Sequence, residues 1–270
     1  MDKIAIISDI HSNIVALKSV LKDIENRGIK RIFCAGDVSV KESSPCECFD
    51  IVNDKCEIIV KGNVEDGLIN YENPTFDWYR DKLGQNRIDI MKKWNYYHDF
   101  YMSGSLIRMF HSTKTNPWAY IYDFDNADVK KKMFEDENNV NPDIVLYAHI
   151  HIQYLQKLYN KTLVNIGSVS NAVEILNHDE SIQDMRETTQ SYYTIIEGEY
   201  GEKEKNEHSL SIQLVRVPYN INEELELARK NKVPQIEDYI QELTTAKYRK
   251  NTISQNKSFE YTPPKLANKI

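Results

Sequence analysis

The chain opens on a continuous apolar, β-branched run over residues 3–8, the pattern of a strand covered on both faces. Apolar residues then recur at helical spacing at Ile14, Leu17, Val20, Leu21 and Ile24, with Gly28 placed to cap the helix. A second apolar run over 31–36, a weaker helix over 45–54 and a third run over 57–60 complete a βαβαβ pattern. That pattern implies a parallel sheet with right-handed crossovers. Residues 66–104 break the alternation. They are rich in Tyr and Trp, Phe76 to Trp94 reads as helix, and the stretch is expected to be an inserted helical cap. Strands are expected again at 105–111, 143–148 and 162–166, with a helix near 127–138. Residues 191–197 and 209–217 read as a hairpin around the polar loop Gly198 to His208. Helices over 221–230 and 235–245, parted by Pro234, close what is expected to be a single domain over 1–250. Residues 251–270 are polar, include Pro263-Pro264, and read as a disordered tail.

A chain of 270 residues buries a sizeable core without disulfides. Its formal net charge of −7 argues against a dedicated nucleic-acid binder, which needs a basic face. The same charge does not exclude small anionic substrates, because bound cations reverse the local field. The four cysteines, Cys34, Cys46, Cys48 and Cys56, lack zinc-type spacing and a further ligand nearby, so they read as free thiols. No secretory pattern opens the sequence and no apolar run approaches the ~20 residues of a membrane span. The expected location is cytoplasmic, away from any membrane.

The chemistry lies at the ends of the strands. Asp9-Ile-His11 follows the first run, Gly36-Asp37 the second and Gly62-Asn63 the third. His111 ends the run 105–111, and His149-Ile-His151 follows 143–148. Ligands of open α/β sheets bind at the carboxyl ends of the strands, so these seven oxygen and nitrogen donors are expected along one sheet edge. Imidazole and carboxylate suit Mn, Fe, Zn, Co and Ni without a thiolate. The two oxygens of Asp37 suit it to bridge two cations, and Asn63 adds a neutral carbonyl oxygen. The i, i+2 spacing of each D-x-H or H-x-H pair puts both side chains on one face of an extended segment.

This ordered set resembles the calcineurin-like metallophosphoesterase superfamily, whose signature reads D-x-H, G-D, G-N, H and G-H-x-H. The resemblance covers roughly residues 3–217. It implies an α/β fold, a four-layer αββα sandwich of two mixed β-sheets flanked by helices, here with the small helical cap insertion. It implies one metal on Asp9, His11, Asp37 and His151 and another on Asp37, Asn63, His111 and His149. Asp9, Asp37, Asn63 and His149 are the candidate catalytic residues. The implied reaction is phosphoester or phosphoanhydride hydrolysis by a hydroxide bridging two metals about 3.5–4 Å apart. The implied cofactors are two divalent or iron-type ions: Mn, Fe, Zn, Co or Ni.

Three positions depart from that signature. Ala148 stands for the glycine before the histidine pair, and Ile166 for the proline of N-P-G-S in Asn165-Ile-Gly-Ser168. Val64 stands where many members carry a histidine that protonates the leaving group. Glu65 or Asp66 is one substitute, a metal-bound water another, and a leaving group that needs no acid, such as a phosphate, a third. The run Gly62-Asn-Val-Glu-Asp66, the aromatic cap and Arg216-Val-x-Tyr219 before the helix Glu224–Ala228 resemble a bacterial branch that includes asymmetric diadenosine tetraphosphate hydrolases. The expected partner is therefore a small phosphorylated substrate of nucleotide type, among them dinucleoside polyphosphates.

Arg80, Lys82, Arg87 and Glu65 are candidates for substrate contact, with Trp78, Tyr79, Trp94, Tyr96 and Tyr97 as stacking candidates. The competing account makes these aromatics core and the charges a solvated face. His98, His178 and His208 read as surface residues. Two other functions stay open: a phosphodiesterase or nuclease using the same site, and a non-catalytic protein scaffold of the same fold. A scaffold has no reason to retain all seven ligands.

Overall fold

The computed structural model describes residues 1–72, 74–175, 185–187, 190–204 and 208–245. The expected tail 251–270 and His178 lie outside them. The first half of the chain runs β1 (Asp2–Ile7), α1 (Ile14–Asn26), β2 (Arg31–Cys34), α2 (Pro45–Lys55), β3 (Ile58–Ile59), α3 (Asn63–Asn70), α4 (Pro74–Met91), β4 (Tyr97–Met102) and β5 (Ser105–Phe110). The second half runs α5 (Ala127–Lys131) with a 3₁₀ turn (Lys132–Phe134), β6 (Ile144–Tyr147), β7 (Tyr154–Leu158), β8 (Lys161–Asn165), β9 (Val173–Ile175), β10 (Met185–Glu187), β11 (Gln190–Gly198), β12 (Ser211–Pro218), α6 (Ile221–Asn231) and α7 (Ile236–Thr245).

β1 shows how the sequence sorts its side chains. Ala5 and Ile7 pack with Leu17, Val20 and Ile24 of α1 and Val52 of α2. Ile4 and Ile6, on the opposite face, join Phe100, Met109, Leu146 and Val164 of a second sheet. Both faces are covered, so the run is apolar throughout, and each such side chain contributes roughly 1.5–3 kcal/mol by burial.

The first sheet has the order β12-β11-β1-β2-β3, with β1, β2 and β3 parallel and β11 and β12 antiparallel. The second has the order β4-β5-β6-β8-β7, with β5, β6 and β8 parallel between antiparallel edges. The sheets face each other across the Ile4–Val164 cluster. α1 and α2 cover the outer face of the first, and Met133 and Phe134 cover that of the second by packing on Val145, Tyr147 and Leu163. The result is an αββα sandwich with two mixed five-stranded sheets and seven helices among the described residues.

The structure differs from the sequence expectations in identifiable places. α3 to Asn70 and α4 over Pro74–Met91 lie in the first part of the expected cap, whereas Tyr97–Met102 is an edge strand paired with β5. Ser103 and Gly104, at φ 47° and 74°, form the two-residue turn between them. β7, an unexpected edge strand, turns into β8 through Tyr159 and Asn160 at φ 49° and 60°. The helix expected to 138 ends as one 3₁₀ turn at Phe134. His98 is half buried between Phe33 and Phe100 rather than on the surface. Among the described residues, no helix is long and apolar enough to cross a membrane.

α6 and α7 pack by Leu225, Ala228, Tyr239 and Leu243 and bury an acidic cluster. Glu224, Glu42 and Glu242 are fully buried. Lys41 lies 3.6 Å from Glu242, and Tyr239 donates to Glu224. Burial and then the neighbouring Glu42 push Glu224 up to about 8, and burial pushes Glu42 up to about 6. A carboxyl raised in the folded state holds its proton while the unfolded chain has lost it. Stability from Glu224 is therefore full below the unfolded value near 4.5 and falls as pH rises toward 8. Glu224→Gln is expected to raise the melting temperature at pH 8 and to leave it nearly unchanged at pH 4.5. An equal effect at both pH values would contradict a protonated Glu224.

Candidate metal centre

β1, β2 and β3 of the first sheet and β5 and β6 of the second end beside one another. The expected single sheet edge is thus a seam between two sheets, and all seven donors converge on it. Two groups form among the described residues: Asp9, His11 and His151, and Asp37, His111 and His149. Within each, the donor atoms lie within 4.8 Å of one another. Asp37 Oδ2 lies between the groups, 3.3 Å from His111 Nε2 and 3.8 Å from His11 Nε2. Asn63 Oδ1 lies 2.9 Å from His111 Nε2.

The loops reach this geometry through strained backbone. Asp9, His11, Asp37, His149 and His151 have φ of 51°, 48°, 55°, 69° and 61°. The two i, i+2 pairs therefore converge from left-handed turns, not from the extended segments expected. Each such residue costs roughly 1–3 kcal/mol and persists only where its surroundings fix it. Backbone bonds continue the β1–β2 ladder past the strands: Asp9 N donates to Gly36 O at 3.0 Å, His11 N to Asp37 O at 3.0 Å and Ser12 N to Val38 O at 2.9 Å. On the other flank Val169 N donates to Ser8 O, Ser170 N to Asp9 O, and Ser168 Oγ to Asp9 O. Asn165 Nδ2 donates to Ala148 O just before the histidine pair. The Asn165–Ser168 motif thus braces two ligand loops at once.

The Gly-Asp and Gly-Asn loops touch. A Cβ on Gly36 would lie 2.4 Å from Gly62 N, and one on Gly62 would lie 2.1 Å from Asp37 Oδ1. Gly36 also has φ of 96°. Beneath this contact, the fully buried Glu65 accepts from Gly62 N at 2.8 Å, Asp37 N at 2.9 Å and Val38 N at 2.8 Å. Val64 N donates to Asp37 Oδ1 at 2.9 Å. Glu65, expected at the substrate, is a clamp under the ligands. The signal for that role was its position three residues after Gly62 at a helix start.

The donors have the character of cation ligands. His111 Nδ1 lies 2.9 Å from Ala35 O and His151 Nδ1 2.7 Å from Asn171 O. A carbonyl only accepts, so in the neutral rings Nδ1 carries the proton and Nε2 offers a lone pair. His11 Nε2 and His151 Nε2 stand 3.1 Å apart, and His111 Nε2 and His149 Nδ1 3.2 Å apart. Ring nitrogens this close share one site for a proton or a cation. Asp9 Oδ1 and His149 Nε2 are buried without a hydrogen-bond partner among the described residues. Burial pushes His11 and His149 down to about 3, leaving both neutral at pH 7. Burial also works against charge on His111, but Asp37 and Asp9 raise it to about 9. Burial favours the protonated carboxyls, yet the surrounding histidines hold Asp9 and Asp37 below the usual carboxylate range. The field calls for cations, and a cation binding here displaces the His111 proton.

Other expected contacts lie elsewhere. Arg80 donates to Leu68 O and Tyr71 O, about 10 Å along α3 from Asn63 by helix rise. Arg87 pairs with Asp50 and donates to Leu83 O. Tyr79 is buried and Trp94 stacks on Phe49. Asp66 accepts from Tyr96, Trp118 and Asn70. All four cysteines are free thiols. An aromatic segment that the sequence reading passed over lies at the site instead: the Tyr120 ring centroid is 4.5 Å from that of His149.

The calcineurin-like phosphoesterase superfamily domain matches residues 2–188, and the chain belongs to this superfamily. It is similar to an uncharacterised protein of Methanocaldococcus jannaschii, 26% identical over 246 residues that cover 86% of this chain and 94% of the relative. Two solved structures share the fold. A metallophosphoesterase from Sphaerobacter thermophilus aligns at TM-score 0.65 and 20% identity over 90% of this chain and 99% of that one. A hypothetical protein from Pyrococcus horikoshii OT3 aligns at TM-score 0.69 and 14% identity over 90% and 98%.

If Glu65 is the clamp, Glu65→Gln, which removes its charge and one carboxylate oxygen, is expected to destabilise the fold by about 2–4 kcal/mol in urea titrations. It should also lower bound metal per chain. An unchanged midpoint with wild-type metal content would show that the three amide bonds carry no weight.

Proposed function

We propose that this chain is a dinuclear metal-dependent phosphohydrolase that cleaves phosphoester or phosphoanhydride bonds of small nucleotide-type substrates, dinucleoside polyphosphates among them. The observation that carries the reading is Asp37, whose Oδ2 lies between two His/Asp groups that each need a cation. Bound metals supply an acidified water and neutralise the phosphoryl oxygens. The donor set suits Mn, Fe, Zn, Co or Ni.

The chain's own residues set the geometry. Asp9, His11, Asp37 and His151 would hold one ion, and Asp37, Asn63, His111 and His149 the other. Asp9 also accepts from His149 N at 3.3 Å, which orients that loop. Asn63 opens α3, so the positive end of a helix faces the centre and favours an anion there. Val64 points away, into the cluster of Phe49, Leu68 and Met91, and Asp66 is held by three donors. Neither is arranged to protonate a departing alkoxide. A phosphate leaving group needs no such acid, which favours phosphoanhydride substrates. The net charge of −7 favours small substrates over nucleic acid.

Metal-stripped protein is expected to be inert toward bis(p-nitrophenyl) phosphate, p-nitrophenyl phosphate and diadenosine tetraphosphate, and to regain turnover with Mn²⁺. Asp37→Ala should lose at least about 10²-fold in kcat. Near-wild-type, metal-dependent turnover by that variant would falsify the shared-ligand arrangement. Metal analysis that finds no ion bound to wild-type protein would favour a scaffold instead.

A further inference from the structure

The connection from His111 to α5 carries four aromatic residues in alternation, Trp118, Tyr120, Tyr122 and Phe124, and the last three form a series. Their rings form a continuous stack. Tyr120 and Tyr122 are 5.9 Å apart at 16°, and Tyr122 and Phe124 are 4.9 Å apart at 6°. The inner end, Tyr120, leans on His149. The stack therefore starts at a metal ligand and runs outward.

This segment is held in place at several points. Trp118 Nε1 donates to Asp66 at 2.7 Å, Tyr147 donates to Ile121 O at 2.8 Å, and Tyr122 N donates to Asp125 at 2.7 Å. Tyr122 also packs against the core beneath, and burial pushes its hydroxyl up to about 12. Even so, Tyr120 stays 47% exposed and Phe124 44%. Folding leaves this apolar surface in water beside the centre, on a segment too well tied to tuck it away. A surface fixed in advance loses little freedom when a ligand covers it. Flat π systems prefer offset stacking on such rings, and a base stacks on them whatever its identity. A bare phosphate gains nothing from them.

We propose that Tyr120 is a specificity-determining residue on which the nucleobase of the substrate stacks while its phosphate occupies the centre. This deepens the phosphohydrolase reading and rests on it for the position of the phosphate. The segment supplies what Trp78, Tyr79 and Trp94 do not, since those rings pack among α2, α3 and α4.

The test is binding by calorimetry to Mn²⁺-loaded full-length protein, with adenosine 5′-monophosphate and ribose 5-phosphate as probes. The nucleotide is expected to bind about 10- to 100-fold more tightly. Tyr120→Ala should bring the two constants together, and Tyr120→Phe should keep them apart. The readout is a ratio, so general damage to the centre cancels, and metal content measured on each variant reports that damage separately. Equal affinity of wild-type protein for both probes overturns the proposal, as does binding of neither, or a preference that survives in Tyr120→Ala. Because no turnover is needed, this result is separate from hydrolysis. Metal-dependent hydrolysis without a base preference removes Tyr120 alone, whereas a base preference without hydrolysis under any metal removes the phosphohydrolase reading and keeps the stack.

Discussion

Two carboxylates and four imidazoles, all buried and in van der Waals reach of one another, form an arrangement that opposes itself. His11 Nε2 and His151 Nε2 face across 3.1 Å, and Asp9 Oδ1 is buried without a hydrogen-bond partner among the described residues. Everything around the centre can be read as what keeps these groups from moving apart. The left-handed turns at Asp9, Asp37 and His149 aim the donors inward, and backbone bonds from neighbouring loops hold the turns. Positive charge in the middle would offset the clustered donors, so metal binding here would be coupled to local folding.

That constraint explains why the surroundings are as fixed as the ligands. Gly36 and Gly62 leave no room for a Cβ because their loops must touch for Asp37 to sit between two groups. Glu65 is a charged residue in a place where burial opposes its charge and raises it to about 7. It is retained there because three amides from two loops need one acceptor. Asn165 and Ser168 do for the His149 and Asp9 loops what Glu65 does for the Asp37 loop. An apolar replacement at Glu65 would strand three buried N–H groups, which costs more than the hydrogen bonds themselves contribute, and one at Asn165 or Ser168 would remove the side-chain donor to Ala148 O or Asp9 O.

The legible part of the sequence was the part under two constraints at once. β1 had to be apolar on both faces and to end in Asp9-Ile-His11, so its position and its chemistry supported each other. β4 and β7 are edge strands with one open side, and Tyr97–Met102 and Tyr154–Leu158 carry too many polar residues to stand out. Their turns, Ser103-Gly104 and Tyr159-Asn160, were the available signal. The donors were legible because each sits at a strand end. The clamp role of Glu65 showed only in its place three residues after Gly62, because a buried carboxylate that serves backbone amides has the same letter as one that serves a substrate. The charges of Arg80 and Arg87 hid their partners in the same way: carbonyls at a helix end and Asp50 leave no trace in the spacing.

The two sheets contribute unequally to the centre. β1, β2 and β3 lead into short loops that are tied to one another, and they bring Asp9, His11, Asp37 and Asn63. β5 and β6 bring His111, His149 and His151, but between them runs the longest connection beside the site, from His111 to Asp143. That connection returns to the centre at Tyr120 and anchors on α3 through Trp118 and Asp66. It starts at His111, its far end is tied to β5 by Asp143 and Leu106, and its middle is held by a few side-chain bonds, so its aromatic residues can change without moving a ligand loop. A change in the short loops cannot. In this fold, selection among substrates has room to act on the long connection while the metal chemistry stays with the strand ends.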